Sequence, residues 1–263
     1  MINNLRFELS FKSISQLEKK LSFCKLNKIR NINIPCKGYI KKDLFNSTIE
    51  YISKNYQEFN VTYHYSLYHQ YSKNRNLSYQ EFLNFLKNSY SNKKYEILLV
   101  SGSNKKKNFD TIDVLDNIKN EKNLNVKLGI AYNPYLKKFY NISSERDRLH
   151  RKISSELINS IWFQYGTDIK VLQNELDYIK KEAKYAKLNL FGSLLIPSKQ
   201  FIARFKFRPW KEVYISEKFL YSLKDFYYFT RDLACFYKKN HITPVIETDF
   251  VSSDKLESVN SFF

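Results

Sequence analysis

Glycine and proline are scarce in this chain, with five of each among 263 residues. Neither G-x-G-x-x-G nor G-x-x-x-x-G-K-[ST] occurs, so nothing supports a nucleotide-binding open sheet. Only three cysteines are present, Cys24, Cys36 and Cys235, with no CxxC pair and no Cys/His cluster at metal-ligand spacing. That usage argues against a disulfide scaffold and a zinc module, and it suits a reducing compartment. No apolar run reaches membrane-spanning length; the best, Leu188–Pro197, is about half of what a span needs. The opening MINNLRFELSF lacks a basic segment followed by an apolar one, so no secretory signal is expected. These absences lead us to expect a cytoplasmic protein without membrane insertion.

What is present is core material and positive charge. Hydrophobic residues make up 43% of the chain and aromatics 17%, enough for a packed interior. The 44 Lys and Arg against 26 Asp and Glu give a formal charge of +18, which favours polyanionic partners. Lys, Asn, Tyr and Ile are abundant while Gly is rare, a bias that looks like codon composition. Part of the charge is therefore compositional.

Short β-rich runs alternate with helical patterns. Strands are predicted at 5–11, 29–35, 59–65, 95–100, 126–131, 159–165, 188–196 and 242–248. The run YEILLV at 95–100 is apolar throughout except at Glu96, close to what a strand buried on both faces would be. Capping-box spacings at Ser15-Gln-Leu-Glu18 and Ser78-Tyr-Gln-Glu81 mark two helix starts. Further helices are expected at 43–56, 110–122, 144–157, 168–187 and 217–238, the fourth of them carrying Leu172, Leu176 and Ile179 on one face. Eight strands about thirty residues apart predict an α/β fold, a single (β/α)8 TIM barrel over residues 1–263. A doubly wound open sheet is the alternative. The polar tail from about Val251 is expected to fray.

A barrel of this kind carries its chemistry at the carboxyl ends of its strands. That rule selects Glu8, His64, Ser101, Ser103, Tyr132, Asn133, Gln164, Ser198, Lys199, Thr248 and Asp249. Glu8, flanked by Phe7, Leu9 and Phe11, suits general-acid work through partial desolvation, although F-E-L-S-F equally fits an outward-facing strand residue. His64 lies in a Tyr-rich strand and suits either a ligand contact or a core hydrogen bond. Gln164, in Trp162-Phe-Gln-Tyr165, can meet a heterocycle edge or a neighbouring loop. Arg148, Arg151 and Lys152 fall on adjacent turns of a basic helix, as a pyrophosphate site or a solvated face would have them.

Several segments, in order, resemble the methylenetetrahydrofolate reductase family. Arg6-Phe-Glu-Leu-Ser10 stands where the family has F-E-F-F-P-P, and Gly129-Ile-Ala-Tyr-Asn-Pro134 where it has V-A-G/A-Y-P-E. Leu149-His-Arg-Lys-Ile153, running on to Trp162-Phe-Gln-Tyr-Gly-Thr-Asp168, stands where the family has L-K-x-K-x-D-A-G-A-x-x-x-x-T-Q-x-F-F-D, and Gly192-Ser-Leu-Leu-Ile-Pro197 echoes its G-I-x-P-I. The resemblance spans nearly the whole chain. It implies reduction of 5,10-methylenetetrahydrofolate to 5-methyltetrahydrofolate by NAD(P)H through FAD. By position it assigns the acid to Glu8 and a folate contact to Gln164. It gives flavin contacts to His64 and Tyr132, the FAD phosphates to Arg151 and Lys152, and a substrate-stacking ring to Phe201. The family's L-R-G-D has become Leu99-Val-Ser-Gly-Ser103, so Ser101 and Ser103 replace its charged pair, and V-T-Y-G has become Ile34-Pro-Cys-Lys37.

A different class of function remains open. The Lys- and aromatic-rich segment 199–214 (KQFIARFKFRPWKEVY) interleaves Phe201, Phe205, Phe207 and Trp210 with cations. Rings and charges so mixed can stack bases and neutralise phosphates. On that reading the barrel is catalytically retired and serves as an RNA-associated or structural subunit of a larger assembly. A homo-oligomer is compatible with either reading.

Overall fold

Alternating apolar residues in short β-branched and aromatic runs build all eight expected strands. A computed structural model of the chain describes residues 5–36, 40, 42–70, 74–89, 95–101, 110–121, 126–139, 145–182, 185 and 187–263. The strands are β1 (Arg6–Glu8), β2 (Asn31–Ile34), β3 (Asn60–Ser66), β4 (Tyr95–Val100), β5 (Lys127–Tyr132), β6 (Ile158–Phe163), β7 (Asn189–Leu194) and β8 (Ile242–Ile246). They form a closed barrel in sequence order. The fold is the (β/α)8 barrel that the spacing predicts.

Helices fill the intervals: α1 (Ile14–Leu26), α2 (Lys42–Asn55), α3 (Leu67–Gln70), α4 (Arg75–Ser89), α5 (Thr111–Ile118) and α6 (Glu145–Ile153). They continue as α7 (Ile169–Lys180), α8 (Lys199–Phe207), α9 (Glu217–Tyr221), α10 (Leu223–Lys239) and α11 (Ser253–Asn260). Two helix starts differ from the expected capping boxes. α1 begins two residues early, because Ser13 caps it by accepting from Gln16 N. α4 begins at Arg75, with Asn74 Oδ1 accepting from Leu77 N at 3.0 Å. Ser78 therefore lies inside that helix, fully buried. The expected helix 217–238 is broken at Ser222, which caps α10. The tail expected to fray is instead α11, anchored by buried Leu256, Val259 and Phe262. Its apolar residues recur three apart, a helical period that the polar composition concealed.

Contacts divide the chain into two compact units. The first comprises residues 6–130 and 150–159. Within it, Ile34, Tyr63, Ile97 and Leu128 pair successively across β2 to β5. These and their alternates face the helices: the Tyr63 ring meets Phe45 of α2 edge-on at 6.2 Å, and Tyr65 meets Phe82 and Phe85 of α4 at 4.8 Å. The second unit comprises residues 1–5, 131–149 and 160–263. There β6, β7 and β8 run parallel with Trp162 beside Phe191 and Ser193 beside Val245. α7 presents Leu172, Leu176 and Ile179 to the core, as its period requires.

The shortage of glycine shows at the helix ends. Lys28, Glu156 and His241 adopt φ of 58°, 61° and 57° just beyond α1, α6 and α10, where a left-handed glycine usually ends a helix. Such a residue costs about 1–2 kcal/mol that glycine would not.

Candidate functional site

The second unit places a polar and aromatic group on one strand face. A Cβ on Gly192 would meet the Tyr237 ring of α10, so Gly192 faces the helices. Its neighbours Phe191 and Ser193 therefore face the barrel interior. Trp162, paired with Phe191, shares that face, and the two rings stack with centroids 4.0 Å apart at 13°. The indole N–H is satisfied by Ser160 Oγ at 2.7 Å, which fixes the ring. Gln164 stands two residues beyond Trp162 on the same face, half-buried. Its backbone N–H donates to Tyr132 O at 2.9 Å. Among the described residues no protein partner engages its carboxamide. Glu247, just past β8, accepts from the Ser193 hydroxyl. An amide and a carboxylate thus stand at the carboxyl end of a strand face floored by a stacked aromatic pair.

Tyr132 lies on the opposite face. Leu128, Ile130 and Tyr132 are the buried alternates of β5, and the Tyr132 hydroxyl donates to the Glu175 carboxylate of α7. Arg146 of α6 grips the same carboxylate with two bonds of 2.9 Å, Nε to Oε2 and Nη2 to Oε1, and lies 4.5 Å from the Tyr178 ring centroid. Burial, then the Glu175 contact, pushes the Tyr132 phenol far above its usual range. The Glu175 bond raises Arg146 further. This network ties α6 and α7 to the strand and commits Tyr132 to it. Phe201 packs into an aromatic cluster with Phe205, Trp210 and Phe226, its ring centroids 5.5–6.1 Å from theirs.

In the first unit, Glu8, Asn33, Thr62 and Glu96 follow one another in register across β1 to β4. Arg6 and His64 lie two residues away on the same face, turned from the helices. His64 Nε2 is 3.0 Å from Asn33 Nδ2. Ser101 Oγ lies 2.5 Å from Thr111 Oγ1 at the start of α5. Arg151 is exposed with Asp116 at 3.9 Å, and Lys152 is buried. Ser103 lies outside the described residues.

Other residues at strand ends hold loops. Asn133 accepts from Tyr135 N at 2.9 Å and donates to Glu212 O at 3.0 Å. Ser198 caps α8, Thr248 accepts from Ile196 N at 2.7 Å, and Asp249 pairs with Lys255 at 2.7 Å. Lys199, the first residue of α8, is exposed. Sequence reasoning missed Arg6, Asn33, Glu96, Glu175 and Glu247. The N-I-N-I alternation of β2 was a usable signal for Asn33, because a strand covered on both faces is ordinarily apolar throughout. Among the described residues, no group of three or more His, Cys, Asp or Glu is placed to hold a metal, and no helix is long and apolar enough to cross a membrane.

No protein-family profile and no curated protein sequence matches the chain. Solved structures do resemble it. Active domain 2 of a chitinase from Pyrococcus furiosus, crystallised as catalytic-site mutants with chito-oligosaccharides, aligns at a TM-score of 0.54 and 10% identity, over 93% of this chain and 83% of that one. An uncharacterised protein from Clostridium thermocellum that binds two copies of 5-methyl-5,6,7,8-tetrahydrofolic acid aligns at a TM-score of 0.63 and 13% identity, over 98% of this chain and 92% of that one. At these identities the likeness is one of fold, and the fold the chain shares with them is the (β/α)8 barrel.

Proposed function

We propose that this barrel binds a reduced folate by its pteridine ring. The observation that carries the reading is the unengaged, half-buried Gln164 amide, set on the same face as the stacked Trp162 and Phe191 rings and near Glu247. A pteridine needs these groups. Its flat face suits an aromatic floor, its adjacent ring N–H and amino donors suit a carboxylate, and its carbonyl suits an amide donor. The Clostridium thermocellum protein of the same fold, which binds 5-methyltetrahydrofolic acid, supports the choice of ligand.

The finer reading is reduction of 5,10-methylenetetrahydrofolate by NAD(P)H, as the family resemblance implies, with Glu8 as acid. FAD fits less well. Tyr132 is committed to Glu175, Ser101 to Thr111 and Arg151 lies beside Asp116, so the residues nominated for the flavin are engaged within the protein.

Titration with 5-methyltetrahydrofolate, followed by calorimetry, tests the binding. We expect Gln164→Ala to weaken it by about tenfold, the effect of one lost hydrogen bond to a buried partner. Unchanged affinity in that variant would remove the site. Turnover of methylenetetrahydrofolate with NADH or NADPH, lost in Glu8→Gln, tests the reaction separately.

A second reading is favoured by another surface of the same unit. Phe207, Tyr221 and Trp210 are 92%, 78% and 44% exposed. Lys206 lies 4.1 Å from the Tyr221 ring centroid, with Arg204, Arg208 and Lys211 nearby in sequence. Exposed rings among cations suit single-stranded RNA. A gel shift that weakens with salt, and falls further in a Phe207→Ala/Trp210→Ala variant, is the expected result. No retardation at low salt ends this reading.

A further inference from the structure

We infer that Arg6 and Asn33 are positioning residues that hold the His64 imidazole neutral, with its proton on Nδ1 and its lone pair on Nε2. The inference is independent of the ligand proposed above. It starts from a buried guanidinium. Arg6 of β1 is 8% exposed and lies on the interior face. Its Nε donates to Asn33 Oδ1 at 2.8 Å. Its Nη2 donates to Ile32 O at 2.9 Å, Asn60 O at 3.1 Å and Thr62 Oγ1 at 2.7 Å.

A guanidinium only donates, so the Asn33 atom that meets it must be the carbonyl oxygen. The orientation of the carboxamide is thereby set by chemistry. Its NH2 group is then the atom facing His64 Nε2, at 3.0 Å. An amide nitrogen cannot accept, so Nε2 must, and the ring proton sits on Nδ1. Imidazolium would set two donors against each other at this contact. Asn33 is fully buried, so no solvent relieves that conflict.

The charged groups on the surrounding strands of this unit are consistent with such an arrangement. Glu8 pairs in register with Asn33, and Glu96 pairs with Thr62. Burial lowers Arg6 to about 10, while Glu96 opposes that shift. Arg6 therefore remains a cation at neutral pH and keeps its donor role. His64 pairs with Leu98 in β4. His64 thus acts as a hydrogen-bonding group of fixed polarity, an acceptor at Nε2 and a donor at Nδ1.

Nitrogen-15 NMR of the four histidine rings, His64, His69, His150 and His241, reads this directly. The His64 signals are those lost in His64→Gln. At neutral pH we expect a protonated Nδ1 and an unprotonated Nε2. Asn33→Asp sets a carboxylate against Nε2, and we expect it to protonate that nitrogen and raise ring proton affinity at least tenfold. Arg6→Met frees the carboxamide to rotate, and a mixture of tautomers is expected. A wild-type ring that is cationic at neutral pH, or protonated on Nε2, overturns the inference. So does an unaltered His64 pattern in Asn33→Asp. The wild-type spectrum decides the question even if a variant fails to fold.

Discussion

Raised through pH 10, the protein is expected to unfold abruptly, its buried phenols ionising together with loss of the fold. Tyr63, Tyr132, Tyr135, Tyr165 and Tyr237 are all pushed above the ordinary tyrosine range, with burial the first cause in each. Negative neighbours add to it, Glu175 at Tyr132 and Asp168 at Tyr135. In the unfolded chain these groups lose their protons near 10. The folded state then binds more protons than the unfolded one, so stability falls as pH rises. Each tyrosine contributes a slope of about 1.4 kcal/mol per pH unit. Arg6 works in the opposite sense: burial lowers it to about 10, so above that pH the unfolded chain holds the extra proton. Four tyrosines' worth remains, about 5–6 kcal/mol per unit. A domain with about 5–15 kcal/mol of stability cannot persist far beyond pH 11–12. Phenolate absorbance and far-ultraviolet circular dichroism, followed together, check this. Full phenolate titration with the dichroism intact would refute it. Tyr165→Phe is a sharper probe, since that buried hydroxyl has no hydrogen-bond partner among the described residues. We expect this variant to be at least as stable at neutral pH and more resistant to alkali.

The order of strands was legible because each is a short apolar run with its own local signal. β4 was read to the residue, since Tyr95–Val100 is apolar at every position but Glu96 and needs no partner to be recognised. Helix starts were less legible, because serines at 13 and 15 both offer a cap for α1 and only packing chooses between them. Leu17, Leu21 and Cys24 must face inward, and that register puts Ser13 at the cap. The candidate site was legible in part. The strand-end rule could nominate Glu8, His64 and Gln164 because it needs only the strand positions. It could not find the partners of Arg6, which stand 26 to 56 residues away. Tyr132 illustrates a signal present but unused: it shares the parity of Leu128 and Ile130, so alternation already turned it toward the helices.

Glycine is so scarce that each one kept invites a reason, and Gly192→Ala is expected to be among the most damaging single-methyl changes in the chain. The added Cβ would lie 2.4 Å from Tyr237 Cζ and 2.8 Å from Cε1 and Cε2. Gly166 is alike, with its Cβ 2.3 Å from Tyr135 Cε2. Neither ring can step aside cheaply, since both tyrosines are buried and the Tyr237 hydroxyl donates to Ser193 O at 2.9 Å. Overpacking of this severity costs about 3 kcal/mol, and a shift in thermal midpoint of roughly 6–12 °C follows for a chain of this size. The clash is with ring carbons, so Tyr237→Phe should not relieve it. Tyr237→Leu should, and the double variant with Gly192→Ala should lose less than the two single variants summed, by about 1 kcal/mol or more. Denaturant midpoints of the four proteins would measure that coupling. A Gly192→Ala protein within about 0.5 kcal/mol of the parent would mean that Tyr237 does not lie against β7. The consequence reaches the candidate site, because Gly192 stands between Phe191 and Ser193. A strand pushed inward by a displaced Tyr237 would carry the aromatic floor and the partner of Glu247 with it. Folate affinity should therefore fall in Gly192→Ala even at temperatures where the variant remains folded.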